Sequence, residues 1–311
     1  MKIAMAQVNP CTGDLEGNVE RCLAAVGAAR AMGAALIVLP EMAIPGAAPR
    51  DILFDPSFVE AVTAATLDLA VRARSGPPVV AGTLLPAGTL LPDRETRRPH
   101  HPGLLNAAVL LAGGRVTPVA AKRLLPTWDV SFEPRWFVPG PALPPVTLAG
   151  QQIGFLVGQD LEDEGHEIHP PAELCAAGAE LLVCLAASPY HRHALEERLR
   201  HARRPRRPVV YANLCGGNDE LVLDGQSFAL DREGAVIARL PGFTEEVRVL
   251  DLDHAAPLDL PDAGPEADVY RALVLGVRDF CRKNRLERAF LAVGRRRLGA
   301  GGDHCRRGAG T

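Results

Sequence analysis

The sequence predicts an α/β fold. Short apolar runs of strand length alternate with amphipathic segments of helix spacing. The second half repeats the grammar of the first, and 47% of the 311 residues are hydrophobic, ample for a sizeable core. Two similar halves fit a pair of packed sheets with helices outside. Periodicity alone fits a doubly wound single sheet as well.

Residues 2–8 read as a strand, and residues 18–32 as a helix in which Val19, Cys22, Leu23, Val26 and Ala29 recur at helical spacing before Gly33 at the C′ position. Residues 35–39 form a short apolar strand ended by Pro40, and 59–74 a second helix. Strands follow at 79–85, 106–112 and 116–121, with a polar, Pro-rich surface loop at 86–102. The second half gives strands at 153–157, 180–185 and 209–214, with helices at 171–177 and 195–203 between them. Late strands are expected at 226–230, 236–240 and 247–251. Residues 255–267 form an acidic, Pro-rich linker, residues 268–283 a helix, and the Gly- and Arg-rich residues 294–311 a tail expected to be disordered.

Composition narrows the function classes. A net charge of −3 supplies no global basic field for nucleic acid or membrane surfaces. The seven cysteines are odd in number, widely scattered and without a CxxC pair, which speaks against a disulfide framework or a zinc ribbon and suits a reducing cytoplasm. No secretory apolar core is seen at the N-terminus, and no apolar run reaches the ~18 residues of a membrane span, so a cytoplasmic protein without a membrane segment is expected.

The chemistry-bearing positions are few. Pro40-Glu41 closes one strand and Lys122 follows another; each alone reads as an ordinary strand-end charge. The apolar strand 153–157 runs into a sharp polar turn, Gly158-Gln159-Asp160, and Asp224-Gly225-Gln226-Ser227 makes a further turn. The acidic and His-containing run 160–169 reads as a solvated loop in preference to a metal site, and no metal is expected. The basic run 198–207 lacks interleaved aromatics and reads as the exposed end of a helix.

Taken together with their neighbours, these positions resemble the nitrilase (carbon-nitrogen hydrolase) superfamily, and within it the glutaminase domain of glutamine-dependent NAD synthetase. The likeness is carried by residues 2–17, Pro40-Glu41, Lys122 with 124–140, Ala187 to His191, and 210–227, in order along the chain. It implies a four-layer α-β-β-α sandwich. It also implies Glu41 as the base, Lys122 as the oxyanion partner, Glu133 as a pocket carboxylate, and Ser188, Tyr190 and Asp160 as substrate-binding residues. The nucleophilic cysteine falls on Gly158, and a glycine cannot attack a carbonyl or carry an acyl group. Glutaminase activity is therefore expected to be lost. Further departures are Gly46-Ala47-Ala48, Arg50, Ala120 and His193-Ala194.

What the resemblance implies beyond the site is a small amide such as glutamine as ligand, a homo-oligomer, and a glutaminase-like domain at 1–254, a linker at 255–267, and at 268–293 the opening of a synthetase domain that then breaks off. No Gly-rich pyrophosphate loop follows, so ATP and the NAD precursor would belong to a domain absent here, and no cofactor is expected. Two alternatives stand beside this reading. One is an active amidase using Cys215 or a Glu41-activated water. The other is a scaffold or regulatory subunit for a separate NAD synthetase.

Overall fold

The computed structural model describes residues 1–92, 100–128, 131–258 and 264–291. The expected tail, and residues 93–99 of the expected surface loop, lie outside the described residues.

Two six-stranded sheets carry the chain. The first is built from β1 (Lys2–Gln7), β2 (Leu36–Val38), β3 (Val79–Pro86), β4 (Leu104–Ala112) and β5 (Arg115–Ala121), with β14 (Glu246–Asp251) returning to its edge, in the order β14-β1-β2-β3-β4-β5. The second holds β6 (Val146–Leu148), β7 (Gln151–Val157), β8 (Leu181–Ala186), β9 (Val209–Asn213), β12 (Phe228–Leu230) and β13 (Val236–Arg239), in the order β13-β12-β9-β8-β7-β6. A short hairpin, β10 (Cys215–Asn218) with β11 (Leu221–Asp224), stands apart. Each large sheet has three parallel strands at its heart, β1-β2-β3 and β7-β8-β9, flanked by antiparallel neighbours. The repeat seen in the sequence is thus a repeat of sheets.

The helices are α1 (Leu15–Ala31), α2 (Pro56–Arg72), α3 (Pro170–Ala176), α4 (Ala194–Arg203) and α5 (Pro265–Lys283). Helix α1 starts three residues before the periodic pattern, because the Asp14 side chain accepts the Gly17 N–H at 3.1 Å and caps it. Helix α5 also starts early, with Pro265 at a position whose N–H would go unused. Strands β6, β10 and β11 were not legible as periodic runs.

Strand alternation sorts the side chains into layers. Ile3, Met5, Leu36 and Val38 point from the first sheet onto Phe155, Val157, Val183 and Leu185 of the second, filling the space between the sheets. Ala4, Ala6 and Ile37 face the opposite way, onto Val19, Cys22, Val62 and Leu69 of α1 and α2. Leu156, Leu182 and Cys184 face Leu174 of α3 and Leu199 and Ala202 of α4. The order is helix, sheet, sheet, helix. Strands covered on both faces are apolar throughout, which is why they read as runs and not as alternations. Among the described residues no helix is long and apolar enough to cross a membrane.

Candidate active site

Strand ends of both sheets converge on one point. Glu41 follows β2, Lys122 follows β5, Gly158 follows β7 and Ala187 follows β8. Gly82 of β3 makes the approach possible: a Cβ there would stand 2.4 Å from the Glu41 Cα and from the Pro40 carbonyl oxygen, so only glycine lets the turn lie against the strand. Met42, next in the chain, is held at φ +53°, a left-handed conformation unusual for its residue type.

Glu41 is 3% exposed and fully engaged. Its Oε1 accepts from Asn106 Nδ2 at 2.6 Å and Lys122 Nζ at 3.0 Å, and its Oε2 accepts the Ala187 backbone N–H at 2.8 Å. Lys122 Nζ also donates to Glu133 Oε1 at 2.6 Å. Burial by itself would push the Lys122 ammonium down, but the charges of Glu133 and Glu41 outweigh it and hold the group above the usual lysine range. Glu133 lies on a short 3₁₀ turn and is raised, chiefly by burial and secondarily by the Glu41 charge, against the pull of Lys122. Two carboxylates thus share one ammonium.

Gly158 opens the 3₁₀ turn after β7 with φ +48°. A Cβ built on it would lie 2.7 Å from Glu41 Oε2 and 3.0 Å from Lys122 Nζ. The direction in which a side chain would leave residue 158 is therefore straight at the acid-base pair.

A cavity of about 100 Å³ opens beside the cluster. Its walls include Glu41, Asn106, Glu133, Ala187, Phe132 and Trp136. Arg50, which lines the cavity, pairs with Glu220 and so joins the segment after Pro49 to the β10–β11 turn. The loop carrying Arg50 is held in turn by Asp51, which accepts from Arg135 Nε and Nη2 at 2.8 and 2.9 Å and from Trp136 Nε1 at 3.0 Å.

Three residues expected at the substrate are engaged outside this wall. Asp160 is 2% exposed, and its Oδ1 accepts the backbone N–H groups of Arg123 and Leu124 at 2.9 and 2.8 Å. It fixes the loop that follows Lys122, and burial, opposed by those two bonds, pushes its carboxyl up to about 7. Ser188 belongs to a buried network in which Arg198 donates to Ser188 Oγ at 3.1 Å and to Asp224 Oδ1 at 2.8 Å. Tyr190 meets the Phe243 ring edge-on, with centroids 5.2 Å apart. Cys215 is buried in a different cavity beside Asn9 and Arg278, and burial pushes its thiol well up. Cys184 lies beneath Gly158, its Sγ 3.8 Å from the Gly158 carbonyl oxygen, and burial raises it strongly too. Buried, protonated thiols are poor nucleophiles. Among the described residues no group of His, Cys, Asp and Glu is arranged to hold a metal ion.

Two residues of the site were not singled out in the sequence, Asn106 and Gly82. Asn106 carries a readable signal, a carboxamide inside the apolar run Leu104–Ala112, where a buried polar group demands a partner. Arg198 was read as part of an exposed basic run. It is 2% exposed, because Asp224 and the carbonyls of Ser188 and Pro189 take its guanidinium inside.

The family model described as carbon-nitrogen hydrolase matches residues 2–256. The glutamine-dependent NAD(+) synthetase of Synechocystis sp. is 35% identical over 309 residues, covering 94% of this chain and 54% of that protein. The protein of that name from Rhodobacter capsulatus is 35% identical over 331 residues, covering 98% of this chain and 56% of its own. The chain spans about half the length of the curated relatives it matches. In fold it is similar to the glutamine-dependent NAD+ synthetase of Acinetobacter baumannii, with TM-score 0.79 and 24% identity over 90% of this chain and 52% of that one. It is also similar to a nitrilase-superfamily amidase of Nesterenkonia AN1, with TM-score 0.66 and 24% identity over 86% of this chain and 92% of that one.

Proposed function

The chain belongs to the carbon-nitrogen hydrolase family, and from that premise we propose that it is a glutaminase-like domain which retains the frame for a primary carboxamide and lacks the nucleophile to hydrolyse it. One observation carries this reading: the side-chain direction at residue 158 points at Glu41 Oε2 and Lys122 Nζ, and residue 158 is glycine.

The chemistry of the frame follows from its atoms. A thiol leaving residue 158 in that direction would have Glu41 Oε2 in reach to take its proton. Lys122 would stand beside the carbonyl oxygen as negative charge develops there. Glu133 keeps Lys122 charged and aimed. With glycine at 158 the proton acceptor and the cation remain, but no atom is present to bond the carbonyl carbon. Nothing in the placement of Cys215, in a separate cavity, favours it as a substitute. We take glutamine as the first amide to try, because the relatives are named for its use.

The test is ammonia release from glutamine by the purified chain and by its Gly158→Cys variant. Release by the variant alone is the expected result. Turnover by the unaltered chain that is lost in its Glu41→Gln variant would overturn the reading.

A further inference from the structure

The turn that carries Glu133 is held from outside by a histidine. His101 lies just before β4, and its Nδ1 stands 2.9 Å from the Gly103 backbone nitrogen. Its Nε2 stands 3.1 Å from the Pro134 carbonyl oxygen. A backbone N–H only donates and a carbonyl only accepts, so the two partners select the tautomer: Nδ1 is bare and Nε2 carries the proton. Gly103 has φ +63°, which glycine adopts without strain, so the chain can fold back onto the imidazole.

Pro134 follows Glu133 directly. Its carbonyl is left to His101 because the Trp136 and Phe137 N–H groups both return to the Glu133 carbonyl, at 3.0 and 2.9 Å. The turn needs such a hold. It runs only from Glu133 to Arg135, and no side chain caps it at Phe132. The Glu133 N–H fixes its start on the Pro126 carbonyl at 3.0 Å. Asp51 grips Arg135 from the other side, but those side chains are 64% and 49% exposed, and exposed pairs contribute little. At the site, Glu133 Oε1 accepts from Lys122 Nζ at 2.6 Å, with help from Asn106. These contacts hold the tip of the carboxylate, whereas the turn sets the base from which it reaches.

We infer that His101 is a positioning residue of this site: through its Nε2–H it fixes the Pro134 carbonyl, and with it the turn from which Glu133 aims Lys122. It touches no reacting atom. The inference rests on the glutaminase-like reading for its catalytic consequence, and on geometry alone for the placement of Lys122.

Two amides separate the two bonds of the imidazole. In His101→Asn the side-chain oxygen can replace Nδ1 towards Gly103, but nothing reaches Pro134. In His101→Gln the longer side chain can replace Nε2 towards Pro134. The chain has three lysines, Lys2, Lys122 and Lys283, so the Lys122 ammonium can be followed by nitrogen–proton correlation spectroscopy and assigned by its shift in Glu133→Gln. His101→Ala and His101→Asn are expected to move that signal, and His101→Gln to leave it at the parent position. On the Gly158→Cys background, His101→Asn should lower kcat about tenfold at near-constant KM, because a misaimed cation loses the transition state and not the substrate. His101→Gln should keep kcat within about twofold. Retention in His101→Asn with loss in His101→Gln would give the role to the Gly103 turn and overturn the inference. Equal loss in both would show plain packing and overturn it too, as would a Lys122 signal unmoved in all three variants or a rise in KM at constant kcat. If Gly158→Cys releases no ammonia, the glutaminase reading falls, and the Lys122 signal alone decides the role of His101.

Discussion

Glu41 Oε2 stands 2.7 Å from the point where a Cβ on Gly158 would lie, and the backbone at Gly158 has φ +48°. Both facts bear on stability. A side chain at 158 must adopt a left-handed conformation, at roughly 1–2 kcal/mol, and must displace the Glu41 carboxylate slightly. Gly158→Ala is therefore expected to fold with a loss of about 1–3 kcal/mol, combining strain with overpacking. Urea unfolding measures it directly. A variant as stable as the parent would mean that the Glu41 contact yields without cost.

Lys122 is the one ammonium against two carboxylates, the buried Glu41 and the partly buried Glu133. Its removal in Lys122→Met leaves Glu41 and Glu133 facing each other without a counter-charge, and the expected cost is about 3–5 kcal/mol. Glu133→Gln should behave oppositely. Burial and the Glu41 charge already disfavour that carboxylate, so the amide is expected to be neutral or stabilising. The pair of variants, compared by urea unfolding, tests the charge count of the cluster. A stability loss in Glu133→Gln matching that in Lys122→Met would contradict it.

The site was legible where chemistry coincided with a strand end and hidden where it depended on the third dimension. Glu41, Lys122 and Gly158 each sit just beyond an apolar run, so the sequence marks them. Asn106 sits within such a run and shows its role only once β4 is seen lying beside β3 and the Glu41 turn. Gly82 is needed because a neighbouring turn touches the strand, a contact no local pattern announces. The hairpin β10–β11 was missed for a related reason. Cys215-Gly216-Gly217-Asn218 has no strand periodicity and is fixed by packing, with Asp279 of α5 accepting the Gly217 N–H at 2.9 Å and Asn9 Nδ2 at 2.6 Å. Arg198 looked exposed because its partner Asp224 lies 26 positions further on.

Asp160 gives a pH signature. Burial raises its folded carboxyl to about 7, whereas an unfolded aspartate titrates near about 3.9. Between those values the folded chain holds a proton that the unfolded chain has lost. The stability this residue contributes is then fully present below about pH 4 and is lost as pH rises through about 7. Both backbone bonds go to Oδ1, an acceptor that asparagine retains. Asp160→Asn should therefore keep the Lys122 loop in place, and its gain in Tm over the parent should be larger at about pH 8 than at about pH 5. Thermal unfolding at the two pH values checks this. An offset that does not change with pH would show that Asp160 does not titrate in this range.

Arg198 of α4 ties the β10–β11 hairpin to the loop after β8. Its guanidinium reaches Asp224 at 2.8 and 3.1 Å, Ser188 Oγ and the Ser188 carbonyl at 3.1 Å, and the Pro189 carbonyl at 3.0 Å. That loop presents the Ala187 amide to Glu41, so the ion pair acts on the site from behind. Arg198→Met leaves Asp224 buried and uncompensated, with an expected loss of about 3–5 kcal/mol. Adding Asp224→Asn removes the stranded charge and keeps one oxygen to accept from Asn213 Nδ2, with Gln226 turning its carboxamide to accept from the new NH2, and should restore at least about 1 kcal/mol. The urea midpoints of the single and double variants measure both effects. If the double variant falls further than Arg198→Met alone, the neutral bonds of Asp224, and not its charge, hold this corner of the fold, and the loop's anchorage has to be sought in Asn213 instead.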